Sequence, residues 1–100
     1  MAKVTVKFVV KTNAKAAYVC GNTENLGSWD AKKAVALTNT DGVFSVSKQF
    51  EAGSTVEFKV LAGKTWDKVE KGNWGEDVAN HQFVAAKGLT VEVEVSNFAK

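Results

Sequence analysis

Three tryptophans in polar surroundings are the residues of this chain best suited to chemistry, and that chemistry is stacking. Trp29 follows Leu26-Gly27-Ser28 and precedes Asp30, and Trp66 lies between Lys64-Thr65 and Asp67-Lys68. Trp74 sits within Lys71-Gly72-Asn73-Trp74-Gly75-Glu76-Asp77. A small domain commonly spends one tryptophan on its core, so three in loop-like sequence point to a platform at the surface. An indole face packs against the apolar C–H face of a pyranose ring, whose equatorial hydroxyls need amide and charged partners at the rim. Asn, Asp and Lys residues beside these tryptophans meet that need. The competing reading of each tryptophan is a cap over the end of the core.

Bond-making chemistry is poorly provided for. His81 is the only histidine and Cys20 the only cysteine. Cys20 falls in a strand-like segment, where a small buried hydrophobe is the ordinary role. Zinc needs about four Cys, His or carboxylate ligands, and the spacing here does not offer them. Asn22-Thr23-Glu24 with Asp30 could hold calcium, but these residue types read first as turn formers and solvated side chains. Gly63-Lys64-Thr65 resembles the end of a phosphate-binding loop, yet Phe58 stands where the first glycine is required and no helix follows. Paired carboxylates for glycoside cleavage need a deep cleft, which a domain this small rarely has. The expectation is therefore a non-catalytic chain with no cofactor and no metal.

The elements that must position the tryptophans have a period of two. Val4, Val6, Phe8 and Val10 form one apolar face, Val56, Phe58 and Val60 a second, and Leu89, Val91, Val93 and Val95 a third. Lys, Thr, Glu and Ser fill most intervening positions, so each segment is a strand with one buried and one wet face. Weaker strands are expected at Ala16–Cys20, Val43–Phe50 and Gln82–Val84. Turn signals separate them: Thr12-Asn13, Asn39-Thr40-Asp41-Gly42, Ala52-Gly53-Ser54, Ala62-Gly63-Lys64 and Lys87-Gly88. Only Asp30–Leu37 has helix-friendly residues, over a short span. Strands at spacings near ten residues imply an all-β, antiparallel, immunoglobulin-like β-sandwich of seven to eight strands. Two stretches, 21–33 and 64–80, are not strand-like, and long loops on a rigid sheet are where function usually sits. Both carry tryptophans.

Composition narrows the class. The chain has 100 residues, 45% of them hydrophobic and 24% charged, which fits one globular domain over residues 1–100 and excludes a disordered tail or collagen. No run of about 18 apolar residues could span a bilayer. Thirteen basic against eleven acidic residues leave a net charge of +2, too balanced for a nucleic-acid footprint. Proline is absent, so the eight glycines with Asn and Asp must make the turns.

The segment Tyr18-Val19-Cys20-Gly21-Asn22-Thr23-Glu24-Asn25-Leu26-Gly27-Ser28-Trp29-Asp30, then Ala34-Val35-Ala36-Leu37, resembles the starch-binding domain of amylases and glucoamylases, carbohydrate-binding module family 20. Ala52-Gly53 followed by Val56-Glu57-Phe58-Lys59-Val60 resembles that family's next strand, and Trp66 falls where the family places its second platform tryptophan. The resemblance implies a sandwich that binds α-1,4-glucan without catalysis. Carried over, its first site consists of Trp29, Trp66 and Lys59, with Asn80 as the family's asparagine. Alternation supports Lys59 independently, since Phe58 and Val60 point inward. The loop from Trp66 to Asn80 is longer than the family's, and brings in Trp74 with Asn73 as a further sugar contact or as a cap. For the family's second site Tyr18 is retained as an exposed contact. Phe44 shares parity with the core-facing Val46 and Phe50, and the tyrosine expected near Asn39–Asp41 is missing. The second site is therefore expected to be weak or absent.

The resemblance implies an α-glucan polysaccharide or oligosaccharide as partner, neither nucleic acid nor membrane, and a monomer that can be fused to an amylase or glucanotransferase. Family habit points to an extracellular setting. The lone cysteine and the lack of a signal peptide at the start suit the cytoplasm as well. The competing function is an immunoglobulin-like protein-interaction module, which would more often present a contiguous apolar patch on a sheet face.

Overall fold

A computed structural model describes residues 2–72 and 74–99. The alternating segments pair into two four-stranded sheets packed face to face. The first contains β1 (Lys3–Thr12), β4 (Thr38–Thr40), β5 (Val43–Glu51) and β9 (Thr90–Val95), in the spatial order β4-β5-β1-β9. The second contains β2 (Tyr18–Gly21), β3 (Val35–Ala36), β6 (Thr55–Leu61) and β8 (His81–Val84), in the order β3-β2-β6-β8. A two-stranded ribbon joins β7 (Glu70–Lys71) to β10 (Asn97–Phe98).

The sandwich read from the sequence is the fold observed. Ten strands occur among the described residues because β3, β7 and β10, two residues each, are too short to show a period. One pairing departs from the antiparallel expectation: β1 and β9 run parallel, with Lys7 opposite Thr90 and Thr12 opposite Val95. A parallel pair needs a long crossover, and the rest of the domain supplies it.

Inward residues of β1 and β6 form the centre of the core. Val6, Phe8, Val10, Val56, Phe58 and Val60 are all buried. Phe8 meets Phe58 edge to face at 5.1 Å and Phe83 at 5.6 Å, the arrangement that ring quadrupoles favour. Phe44 is buried in this core, in agreement with its parity. A second, smaller cluster of Cys20, Ala31, Ala34 and Leu61 lies apart from it, with Tyr18 and Val69 packed against it. Tyr18, Cys20, Lys59 and Leu61 share the outer face of the second sheet, Tyr18 opposite Leu61 and Cys20 opposite Lys59.

The helix-friendly stretch after Asp30 makes only one 3₁₀ turn, Ala31–Lys33, with the Asp30 carboxylate accepting from the Lys32 amide at 3.0 Å. A single turn cannot repay helix nucleation, and β-branched Val35 instead pairs with Val19 in β3. The Asp41-Gly42 turn has positive φ at both residues, 52° and 87°. That is the twist a two-residue hairpin between β4 and β5 requires.

Cys20 is buried in the second cluster, and burial, followed by the nearby Asp30 carboxylate, pushes its thiol above the usual range. Both effects disfavour the reactive thiolate. Iodoacetamide should therefore leave the native protein unlabelled at neutral pH and modify it after denaturation. Rapid native labelling, followed by mass spectrometry, would contradict this placement.

Candidate functional site

Gly21, at the end of β2, sets the path of the first loop. A Cβ there would collide with the Glu57 carbonyl oxygen and approach Leu26 Cδ1 to 2.8 Å, so only glycine lets β2 lie this close to β6. Asn22 then ties the loop to β6: its backbone amide donates to Glu57 O and its side-chain oxygen accepts from Glu57 N, each at 3.0 Å. Leu26 plugs the main core. Gly27, Ser28 and Trp29 follow in the left-handed region, with φ of 89°, 50° and 65°. Left-handed backbone costs a non-glycine residue about 1–3 kcal/mol and marks positions that the surroundings over-determine. The restraint here is the Trp29 amide, which donates to Gly21 O at 2.8 Å.

The second loop delivers Trp66 from a 3₁₀ turn, Trp66–Lys68, whose start is capped by the Thr65 hydroxyl accepting from Asp67 N at 3.3 Å. Trp66 Nε1 donates to the Trp29 carbonyl at 3.2 Å. The two indoles stand 6.1 Å apart at an interplanar angle of 40°. They form part of an open hollow of about 330 Å³ whose walls are Trp29, Lys59, Trp66, Val69 and Asn80. Four of the residues singled out in the sequence thus meet at one place. Four larger hollows, of about 680, 660, 570 and 400 Å³, have no tryptophan in their walls and offer no indole face.

Lys59 points outward from β6, and its Nζ donates to the Val78 carbonyl at 2.6 Å. An ammonium has three donors, so two stay available toward the hollow. The Asn80 amide reaches Glu57 Oε1 only at 3.5 Å, a weak contact that leaves its hydrogen-bonding capacity largely free.

Tyr18 is not among the walls of the hollow. It is half-buried against the second cluster, where the sequence suggested an exposed ring. Trp74 is 93% exposed and caps nothing, which removes the cap reading for this residue. Asn73 lies outside the described residues. The oxygens weighed as calcium ligands are engaged within the protein: Asn22 holds β6, the Thr23 hydroxyl donates to Asn25 Oδ1 at 2.6 Å, and Asp30 caps the turn after it.

No sequence signal marks Glu70, a charged residue that is 4% exposed. One carboxylate oxygen accepts from the Val60 amide at 2.6 Å, and both lie within 2.8 Å of His81 Nε2. Pairing of β8 with β6 ends at His81 opposite Phe58, short of Val60, so β8 offers no carbonyl to Val60 N. The Glu70 side chain takes that place. Val69 and Asn80, which line the hollow, each adjoin one member of this pair.

Residues 2–95 match the family model described as starch binding domain. The chain belongs to that family, the family 20 carbohydrate-binding modules. Such a domain is a non-catalytic carbohydrate-binding module. This starch-binding domain is 35% identical over 79 residues to an alpha-amylase of Niallia circulans, a match covering 76% of this chain and 6% of that protein. Its fold is similar to that of the family 20 module of a maltotetraose-forming amylase from Pseudomonas saccharophila, with a TM-score of 0.68 at 23% identity over 91% of this chain and 99% of that one. It is also similar to part of a family 15 glucoamylase from Hypocrea jecorina, with a TM-score of 0.74 at 21% identity over 97% of this chain and 18% of the other. The domain therefore spans only a small fraction of the amylase and of the glucoamylase.

Proposed function

We propose that the hollow between Trp29 and Trp66 binds α-1,4-glucan, and that the domain thereby holds an attached glucan-active enzyme on its polymer. The observation that carries this reading is the convergence of two indoles from separate loops, the half-buried Trp29 and the exposed Trp66, 6.1 Å apart in one hollow with an amine and an amide. The indoles stack on pyranose C–H faces, while Lys59 and Asn80 hydrogen-bond hydroxyls at the rim. The 40° angle between the rings supports an α-linked chain. An α-1,4-glucan curls, presenting successive rings at an angle, whereas a β-1,4-glucan is flat and suits coplanar aromatics. Tyr18, outward-facing on β2, provides at most a separate and weaker contact.

Stacking and a few hydrogen bonds give micromolar to millimolar affinity, about −4 to −8 kcal/mol. In native gels the domain should be retarded by soluble starch or amylose and unaffected by soluble cellulose derivatives or xylan. The ligand is neutral and Lys59 acts as a hydrogen-bond donor, so raising salt from about 0.05 to 0.5 M, which shortens the screening length severalfold, should change the affinity less than about threefold. Equal retardation by xylan, or a steep loss with salt, would overturn the assignment.

A further inference from the structure

We infer that Trp74 is a second, separate aromatic contact that engages long or granular α-glucan and leaves short maltooligosaccharides in the hollow untouched, an inference that rests on the hollow being the glucan site. Trp74 is 93% exposed, against 39% for Trp66. The backbone that carries it is not a loose strand. Gly72 N donates to Glu76 O at 2.8 Å, Gly75 N to Gly72 O at 3.0 Å, and Trp74 N to a Glu76 carboxylate oxygen at 3.0 Å. Gly75, at a φ of 80°, turns the chain back. At the root, Lys71 pairs with Asp77, whose carboxyl the Lys71 ammonium holds below the usual range by a direct hydrogen bond. β7 is paired with β10, and Lys59 grips the Val78 carbonyl. A tight turn on a fastened base therefore holds an indole in water.

Position and surroundings select the occupant. Lys59 ties this arm to the hollow, and Asn80, two residues beyond Val78, is one of its walls. Four residues of extended backbone reach at most about 14 Å, so Trp74 stands within that distance of Val78, where Lys59 of the hollow is held, without lining the hollow. Residues near the tip are small or charged: Lys71, Gly72, Gly75, Glu76 and Asp77. A protein-binding anchor is normally set in a contiguous apolar patch. An isolated indole with a polar rim instead matches one face of a sugar ring. A glucan chain leaving the hollow, or a neighbouring chain on a granule, can reach both places at once. A second contact on the same polymer is then made at high effective concentration, and raises avidity without changing the first site.

The test compares maltotriose with amylose and granular starch. Trp74→Ala should leave maltotriose affinity within twofold and the melting temperature within a degree or two. It should lower amylose affinity and granule adsorption about tenfold, with Trp74→Phe recovering part of the loss. An equal fall for maltotriose would mean that the indole closes over the hollow. No change with any ligand would mean that it binds no glucan. Either result overturns the inference. Trp66→Ala reports on the underlying reading: if that variant keeps its affinity for all three ligands, the hollow is not the glucan site, whatever Trp74 does.

Discussion

Glu70→Ala is expected to destabilise the domain by about 1–3 kcal/mol, the range for leaving a buried donor without its acceptor. Two groups lose their acceptor together. The Val60 amide, bonded to Glu70 at 2.6 Å, is left in the sandwich interior, and His81 loses both oxygens that lie against its Nε2. β8 stops pairing at Phe58 and does not reach Val60 N to replace the lost acceptor. A domain of this size has about 5–15 kcal/mol in total, so the melting temperature should fall on the order of 10 °C. Glu70→Gln keeps an acceptor for Val60 N and should lose clearly less. Urea unfolding provides the measurement, read as a lower midpoint at unchanged slope. A stability for Glu70→Ala within about 0.5 kcal/mol of the parent would show that the buried carboxylate holds nothing.

Glu70 also marks where the sequence stops being readable. Val6, Phe8 and Val10 show β1 as a half-buried strand, and Val56, Phe58 and Val60 show β6, because alternation records which face meets the core. Alternation is the same read in either direction, so the parallel pairing of β1 with β9 left no trace in it. Glu70 stands in two-residue β7, which has no period, and its burial depends on where a distant strand ends. The second cluster buries Cys20 on the face opposite Val19, so the one-sided pattern fails in β2, and with it the expectation of an exposed Tyr18.

The candidate site was legible in a different way. Outward parity located Lys59, and polar surroundings marked Trp29 and Trp66, but only the family resemblance placed them together. The left-handed run through Ser28 and Trp29 has no local signature, since only Gly27 of the three is a residue that favours positive φ. It is dictated by Gly21 and Asn22 clasping β6. The donation from Lys59 to Val78 was equally hidden, because it joins a strand to the far end of a loop whose length alone the sequence reveals.

Trp66→Ala is expected to weaken binding of maltoheptaose by about 2 kcal/mol or more, roughly 30-fold, as for an aromatic anchor of a small interface. The indole offers one of only two stacking faces in the hollow, and its Nε1 hydrogen bond to the Trp29 carbonyl fixes the angle between them. Truncation removes a face and releases the other ring from its partner. The cost to folding should stay below about 1 kcal/mol, because the ring is 39% exposed, outside both core clusters, and the Trp29 carbonyl it releases can turn to water. Trp66→Phe separates the two contributions: it retains a stacking face and loses the N–H, so its loss should be intermediate. Calorimetric titration beside thermal melting distinguishes the outcomes. A variant that binds maltoheptaose like the parent would remove Trp66 from the site. One that melts many degrees lower would make it a packing residue whose effect on binding is indirect.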